Sequence, residues 1–144
     1  MTQQNVAELF QSTLQKTQDW LNEFIEQTGQ QDEQKAWQMM RGSMHVLRDR
    51  LTVQQAAHLG AQLPMLVRGM YYEGYRPSDQ PTKISSRDEL IQAVAEALSD
   101  HPEVNPKQAL EGTVQVLNSR ISPGELEDIR KVFPQELQGL WVSD

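Results

Sequence analysis

Residues Leu51 to Pro77 read LTVQQAAHLGAQLPMLVRGMYYEGYRP. The stretch opens on Thr52-Val-Gln-Gln55, a hydroxyl followed three residues later by a glutamine, which is the pattern of a helix N-terminal capping box. Ala56 and Leu59 follow at helical spacing. Pro64 fits the first turn of a second helix, where its missing N–H removes no hydrogen bond. Leu66, Val67 and Met70 carry that helix into Tyr71, Tyr72 and Tyr75, with Gly74 placed to end it. No stretch alternates with period two, so the pattern predicts helix packed on helix.

The same grammar extends in both directions. Upstream, Val6, Leu9, Phe10, Leu14, Trp20, Leu21, Phe24 and Ile25 form one stripe of a long amphipathic helix, with Asn5 and Glu8 as its cap and Gly29 as its stop. A second helix starts near Asp32 and carries Trp37, Met40, Met44 and Leu47. Downstream, Arg76 to Ser86, with Pro77 and Pro81, is the one clear linker. Capped starts then recur at Ser86-Arg-Asp-Glu89, Asn105-Pro106 and Ser122-Pro-Gly-Glu125. They lead into Leu90, Ile91, Val94 and Leu98, then Leu110, Val114 and Leu117, then Leu126 and Ile129. Pro134 opens a last short helix with Leu137, Leu140 and Trp141.

Laying Gly42 on Gly112, with every other residue shifted by the same interval, aligns the two halves without a gap. Residues 37–71 and 107–141 share seven identities: Gln38, Gly42, Val46, Leu47, Arg50, Pro64 and Gly69 with their mates. The expectation is an all-α protein of about eight helices in two tandem pseudo-repeats, spanning 1–75 and 87–144, joined by a linker at 76–86 and packed together. Gly42 and Gly112 fall inside helices, where glycine costs up to ~1 kcal/mol relative to alanine. Close helix–helix approach is the expected reason. Arg50 and Arg120, each near a helix end, are expected to satisfy terminal carbonyls or an internal acid.

The chain has 144 residues, a formal charge of −7 and no cysteine. Thiolate catalysis and Cys-ligated metals are excluded. Acids outnumber bases 20 to 13 and no basic run exceeds two residues, which opposes nucleic-acid binding. No basic n-region and no long apolar stretch is present, so a cytoplasmic protein with no membrane partner is expected.

The polar groups of the first half that the second lacks mark where a site could lie. His45, Arg48, Asp49, His58, Gln62, Arg68 and Tyr72 stand against Gln115, Asn118, Ser119, Asp128, Val132, Gln138 and Val142. His45 and Asp49, four apart on one helical face, are weak candidates for metal ligands. Neither histidine has a nucleophile or oxyanion element beside it in sequence, and no phosphate-binding or cofactor motif occurs, so no catalytic residue and no cofactor is assigned. Tyrosines beside an arginine suit a protein interface; they would serve equally as a lid over the gap between the halves. The helix-turn-helix pattern of Leu51–Tyr72 is answered by a second helix that is too apolar to read bases.

From His45 to Tyr75 the string HVLRDRLTVQQAAHLGAQLPMLVRGMYYEGY resembles the bacterial and archaeal family known as domain of unknown function 2267. Weaker similarity continues through VLNSRISPGELEDIRKVFPQELQGLW. The matching residues are His45, Leu47, Arg48, Asp49, Arg50, Leu51, Gln62, Leu63, Pro64, Arg68, Gly69, Tyr71, Tyr72 and Gly74; Tyr75 stands where the family pattern suggests tryptophan. The resemblance implies a small all-helical protein with two related halves and supplies no catalytic residues. The leading expectation is a non-enzymatic interaction module that binds a protein partner or itself through Arg48, His58, Arg68, Tyr72 and Tyr75. A small-molecule or metal-binding protein, possibly an enzyme, with His45, Asp49 and Tyr72 in a cleft between the halves, is the alternative. A DNA-binding regulator is third.

Overall fold

The structure, a computed structural model, describes residues 3–141. It is all-α. Helices α1 (Gln3–Thr28), α2 (Glu33–Arg50), α3 (Val53–Ala61) and α4 (Met65–Tyr72) precede a linker holding a short 3-10 turn at Pro77–Asp79. Helices α5 (Arg87–Ala97), α6 (Pro106–Arg120) and α7 (Pro123–Val132) follow, and a 3-10 segment at Gln135–Leu140 takes the place of the expected last helix. No strand occurs among the described residues.

The helix starts follow the capping chemistry of the sequence. Asp32, Thr52, Ser86, Asn105 and Ser122 are the N-caps of α2, α3, α5, α6 and α7, each accepting a backbone N–H of its first turn. Gly29, at φ 76°, ends α1 as expected. Two details differ. Helix α1 is already helical at Gln3, so Asn5 lies inside it rather than capping it. Pro64 is the N-cap of α4 rather than its first helical residue. Its fixed φ of −63° suits either position.

Helix α6 lies against α1, α2 and α5, and α2 also meets α1 and α4. The buried side chains form one cluster drawn from both halves, including Phe24, Met40, Tyr71, Leu90, Leu110 and Ile129. The two mid-helix glycines explain how the helices come so close. A Cβ on Gly112 of α6 would strike Thr28 and stand 3.0 Å from Phe24 of α1. A Cβ on Gly42 of α2 would stand 3.0 Å from Leu98, at the end of α5. Thr28 and Leu98 are separated along the chain by the same interval as Gly42 and Gly112. The first helix of each half thus crosses the glycine of the other half's second helix.

Candidate functional site

Arg48 is the centre of the polar group that the sequence singles out. It sits near the C-terminal end of α2 and is only 3% exposed. Its Nη1 donates to the carbonyls of Tyr71 at 2.6 Å and Glu73 at 2.9 Å, and its Nε to Asp49 Oδ1 at 2.8 Å. These carbonyls are the ones that the end of α4 leaves without helical partners, so a cation there is doubly favourable. The guanidinium also lies 5.0 Å from the centre of the Tyr75 ring. Arg68 does the same for α3: Nε donates to Gly60 O at 2.9 Å and Nη2 to Leu63 O at 2.9 Å.

The tyrosines close inward. Tyr71 is fully buried and donates its hydroxyl to Ala56 O at 2.7 Å; burial holds its phenol well above the ordinary range. Half-buried Tyr72 packs edge-on against Tyr71 and fills the space a side chain at Gly60 would need. Tyr75 donates to Gln80 Oε1, and Gln80 Nε2 in turn donates to Arg48 O at 2.7 Å and Leu51 O at 2.9 Å. The ring cluster therefore ties α4 and the linker to α2, a role that neither the lid nor the interface expectation anticipated.

His45 Nε2 lies 2.7 Å from Met70 O. A carbonyl only accepts, so Nε2 carries the proton and donates it. Burial, assisted by Arg48 and Arg41, lowers the histidine's pKa below the ordinary value, against the opposing pull of the Met70 carbonyl and Glu73. Asp49 is turned to Arg48, and His58 lies exposed on α3, near Glu125 of α7. The structure does not bring His45, Asp49 and His58 together, and no group of three metal-type ligands occurs among the described residues. Gln62 reaches across the halves, accepting the N–H of Ser122 at 3.2 Å.

The second half does the same work with smaller groups. Asn118, at the place of Arg48, donates to Leu140 O at 2.9 Å. Gln138, at the place of Arg68, donates to Phe133 O at 3.2 Å, the counterpart of the Arg68–Leu63 bond. Val142, matched to Tyr72, lies outside the described residues. Much of the first half's polar surplus is therefore helix-end chemistry carried by longer side chains.

The feature that sequence reasoning missed is on α1. The helix has 26 residues, about 39 Å at 1.5 Å per residue. Its C-terminal part buries Trp20, Leu21 and Phe24, whereas its first part runs out as an arm. There Val6, Leu9, Phe10 and Leu14 are 41%, 52%, 57% and 59% exposed. They lie on the same stripe as the buried residues, so spacing alone could not separate covered from uncovered. Beneath the arm an open groove of about 810 Å³ runs to the α3–α4 corner, lined by Leu9, Thr13, Trp20, Leu63, Pro64 and Met65, with Lys16, Arg68 and Arg120 among its polar neighbours. Met65 at that corner is 55% exposed.

No curated protein matches this chain. A family model described as "Uncharacterized conserved protein (DUF2267)" matches residues 17–140, so it begins where the arm ends. That span includes α2 to α7, the Arg48 and Arg68 clasps and the tyrosine cluster, and on it the chain belongs to the DUF2267 family of uncharacterized conserved proteins.

Proposed function

We propose that this protein is a non-enzymatic interaction module, built by duplication of a helical unit, that docks an apolar helical segment of a protein on the arm of α1. The observation that carries the reading is the apolar stripe Val6, Leu9, Phe10 and Leu14, more than 40% exposed at every position. Four large side chains on one face form a contiguous apolar patch of the size that marks interaction sites. Their three-four spacing is what a partner helix packs against. The expected face around Arg48 contributes less than its composition suggests. Arg48 is buried, exposed Arg68 is committed to carbonyls, and Tyr72 and Tyr75 are half-covered.

Photo-cross-linking in cells tests this directly. A photoreactive side chain at Phe10 or Leu14 should attach to one defined protein surface, whereas the same group at Gln15, on the opposite side of the arm, should not. Absence of any protein adduct from either apolar position would refute the reading.

A further inference from the structure

We infer that the occupant of the arm is a second copy of this chain, and that the two α1 arms pair antiparallel about a two-fold axis near residue 12. This rests on the docking reading above and names its partner.

Three observations select a second copy. The first is charge. The chain carries −7, yet residues 3–17 hold one acid, Glu8, and one base, Lys16. Like-charged copies repel elsewhere and meet without that penalty along a neutral arm. The second is area. From their exposures, Val6, Phe10 and Leu14, on or beside the face that a partner arm would cover, present roughly 300 Å² of apolar surface. A standard interface covers ~800 Å² per partner, of which a little over half is apolar, so the arm supplies about two-thirds of the apolar part of one side of such an interface.

The third is self-complementarity, which an isologous interface requires. Ala7, Phe10, Leu14 and Thr17 follow one another at intervals of three, four and three, and this spacing reads the same in both directions. An antiparallel copy therefore sets Phe10 against Leu14 and Ala7 against Thr17, large on large and small on small. Thr17 offers only its methyl, because its hydroxyl donates to Thr13 O at 2.6 Å. The same seam continues into Leu21 and Phe24, where the body of the protein already covers it. The arm is the part of α1 that the fold leaves uncovered, and it is also the part outside the family match.

Sedimentation of the full chain across the micromolar range should show a species of twice 16.5 kDa. A Phe10→Glu, Leu14→Glu variant should sediment as a monomer with unchanged helical circular dichroism, since both side chains are exposed. The chain has no cysteine, so orientation is readable by oxidation. The Ala7→Cys, Thr17→Cys double variant should lock into a disulfide-linked dimer. Ala7→Cys alone should not, because antiparallel pairing holds the two sites about 15 Å apart along the axis, beyond disulfide reach. A wild-type chain that stays monomeric, a dimer that survives the glutamate pair, or efficient cross-linking through Ala7→Cys alone would each overturn the proposal. A monomer whose Phe10 cross-links to a different protein in cells would overturn the second copy alone and leave helix docking standing. A monomer that instead floats with phosphatidylcholine vesicles through the arm would overturn both.

Discussion

At the scale of single residues, His45 shows how a group suited to chemistry can be held to a structural task. Its Nε2 proton is fixed on Met70 O, and burial resists a second proton. The folded-state pKa therefore lies below the ordinary histidine value of 6.5. Between these two values the unfolded chain takes up a proton that the folded chain refuses, so stability must fall as the pH drops through 6.5, and this decline ends below the folded-state value. Gln115, at the equivalent place in the second half, suggests the control. His45→Gln keeps an N–H donor for the Met70 carbonyl and removes the titration. Urea midpoints measured between pH 7.5 and pH 5 should show a shallower decline for His45→Gln than for the wild type. An unchanged slope would mean that other groups set the acid limit. The individual roles of His45, Arg48 and Arg68 were not legible in the sequence, because spacing gives the face of a residue's own helix and not the identity of the carbonyl it will reach. Arg48 reaches Tyr71, 23 positions away, only because the turn after α3 folds α4 back beside α2.

At the scale of elements, the two kinds of shared glycine separate what repetition alone would equate. Gly42 and Gly69 both have glycine counterparts in the second half, Gly112 and Gly139. The structure divides them. Gly112 faces Thr28 and the buried ring of Phe24, with no room for a methyl, whereas a Cβ on Gly69 meets nothing within 4 Å. Gly112→Ala gains up to ~1 kcal/mol of helix propensity and incurs overpacking of ~1–3 kcal/mol, so the balance is destabilising. Gly69→Ala, inside α4, gains the propensity with no opposing clash and should stabilise by about 0.5–1 kcal/mol. Chemical denaturation of the two variants should move the midpoints in opposite directions. A stabilised Gly112→Ala would show that α1 can shift away from α6 at little cost. We have no structural account of why glycine stands at Gly69. The elements themselves were legible almost throughout, because five caps and a three-four apolar rhythm act locally. The final 3-10 segment was the exception: its six residues, Gln135–Leu140, are too few for the rhythm to tell one helical form from another.

At the scale of the whole molecule, the two glycine crossings between the halves are reciprocal, and the arm has no counterpart in this arrangement. Helix α5 begins at Arg87, whose counterpart in the first half is Thr17. Residues 3–16 of α1 thus correspond to residues 73–86, the C-cap of α4 and the linker, and the shared core does not use Val6, Leu9, Phe10 or Leu14. The sequence could not reveal this, since an apolar stripe records what a helix can cover and not whether anything lies opposite. A side chain already exposed in the folded state loses little when it is removed, typically about 0.5 kcal/mol or less for a surface change. A chain beginning at Thr13 should therefore fold with the same helical spectrum. In dilute solution its unfolding free energy should lie within about 0.5 kcal/mol of the full chain's. The two should diverge as concentration rises. Association stabilises by RT ln(1 + [L]/Kd), with the second copy as ligand, so the thermal midpoint of the full chain should climb with protein concentration and that of the shortened chain should stay level. A shortened chain that is destabilised at every concentration would instead place the arm within the core's own support, and parallel concentration curves would remove the arm from any role in association.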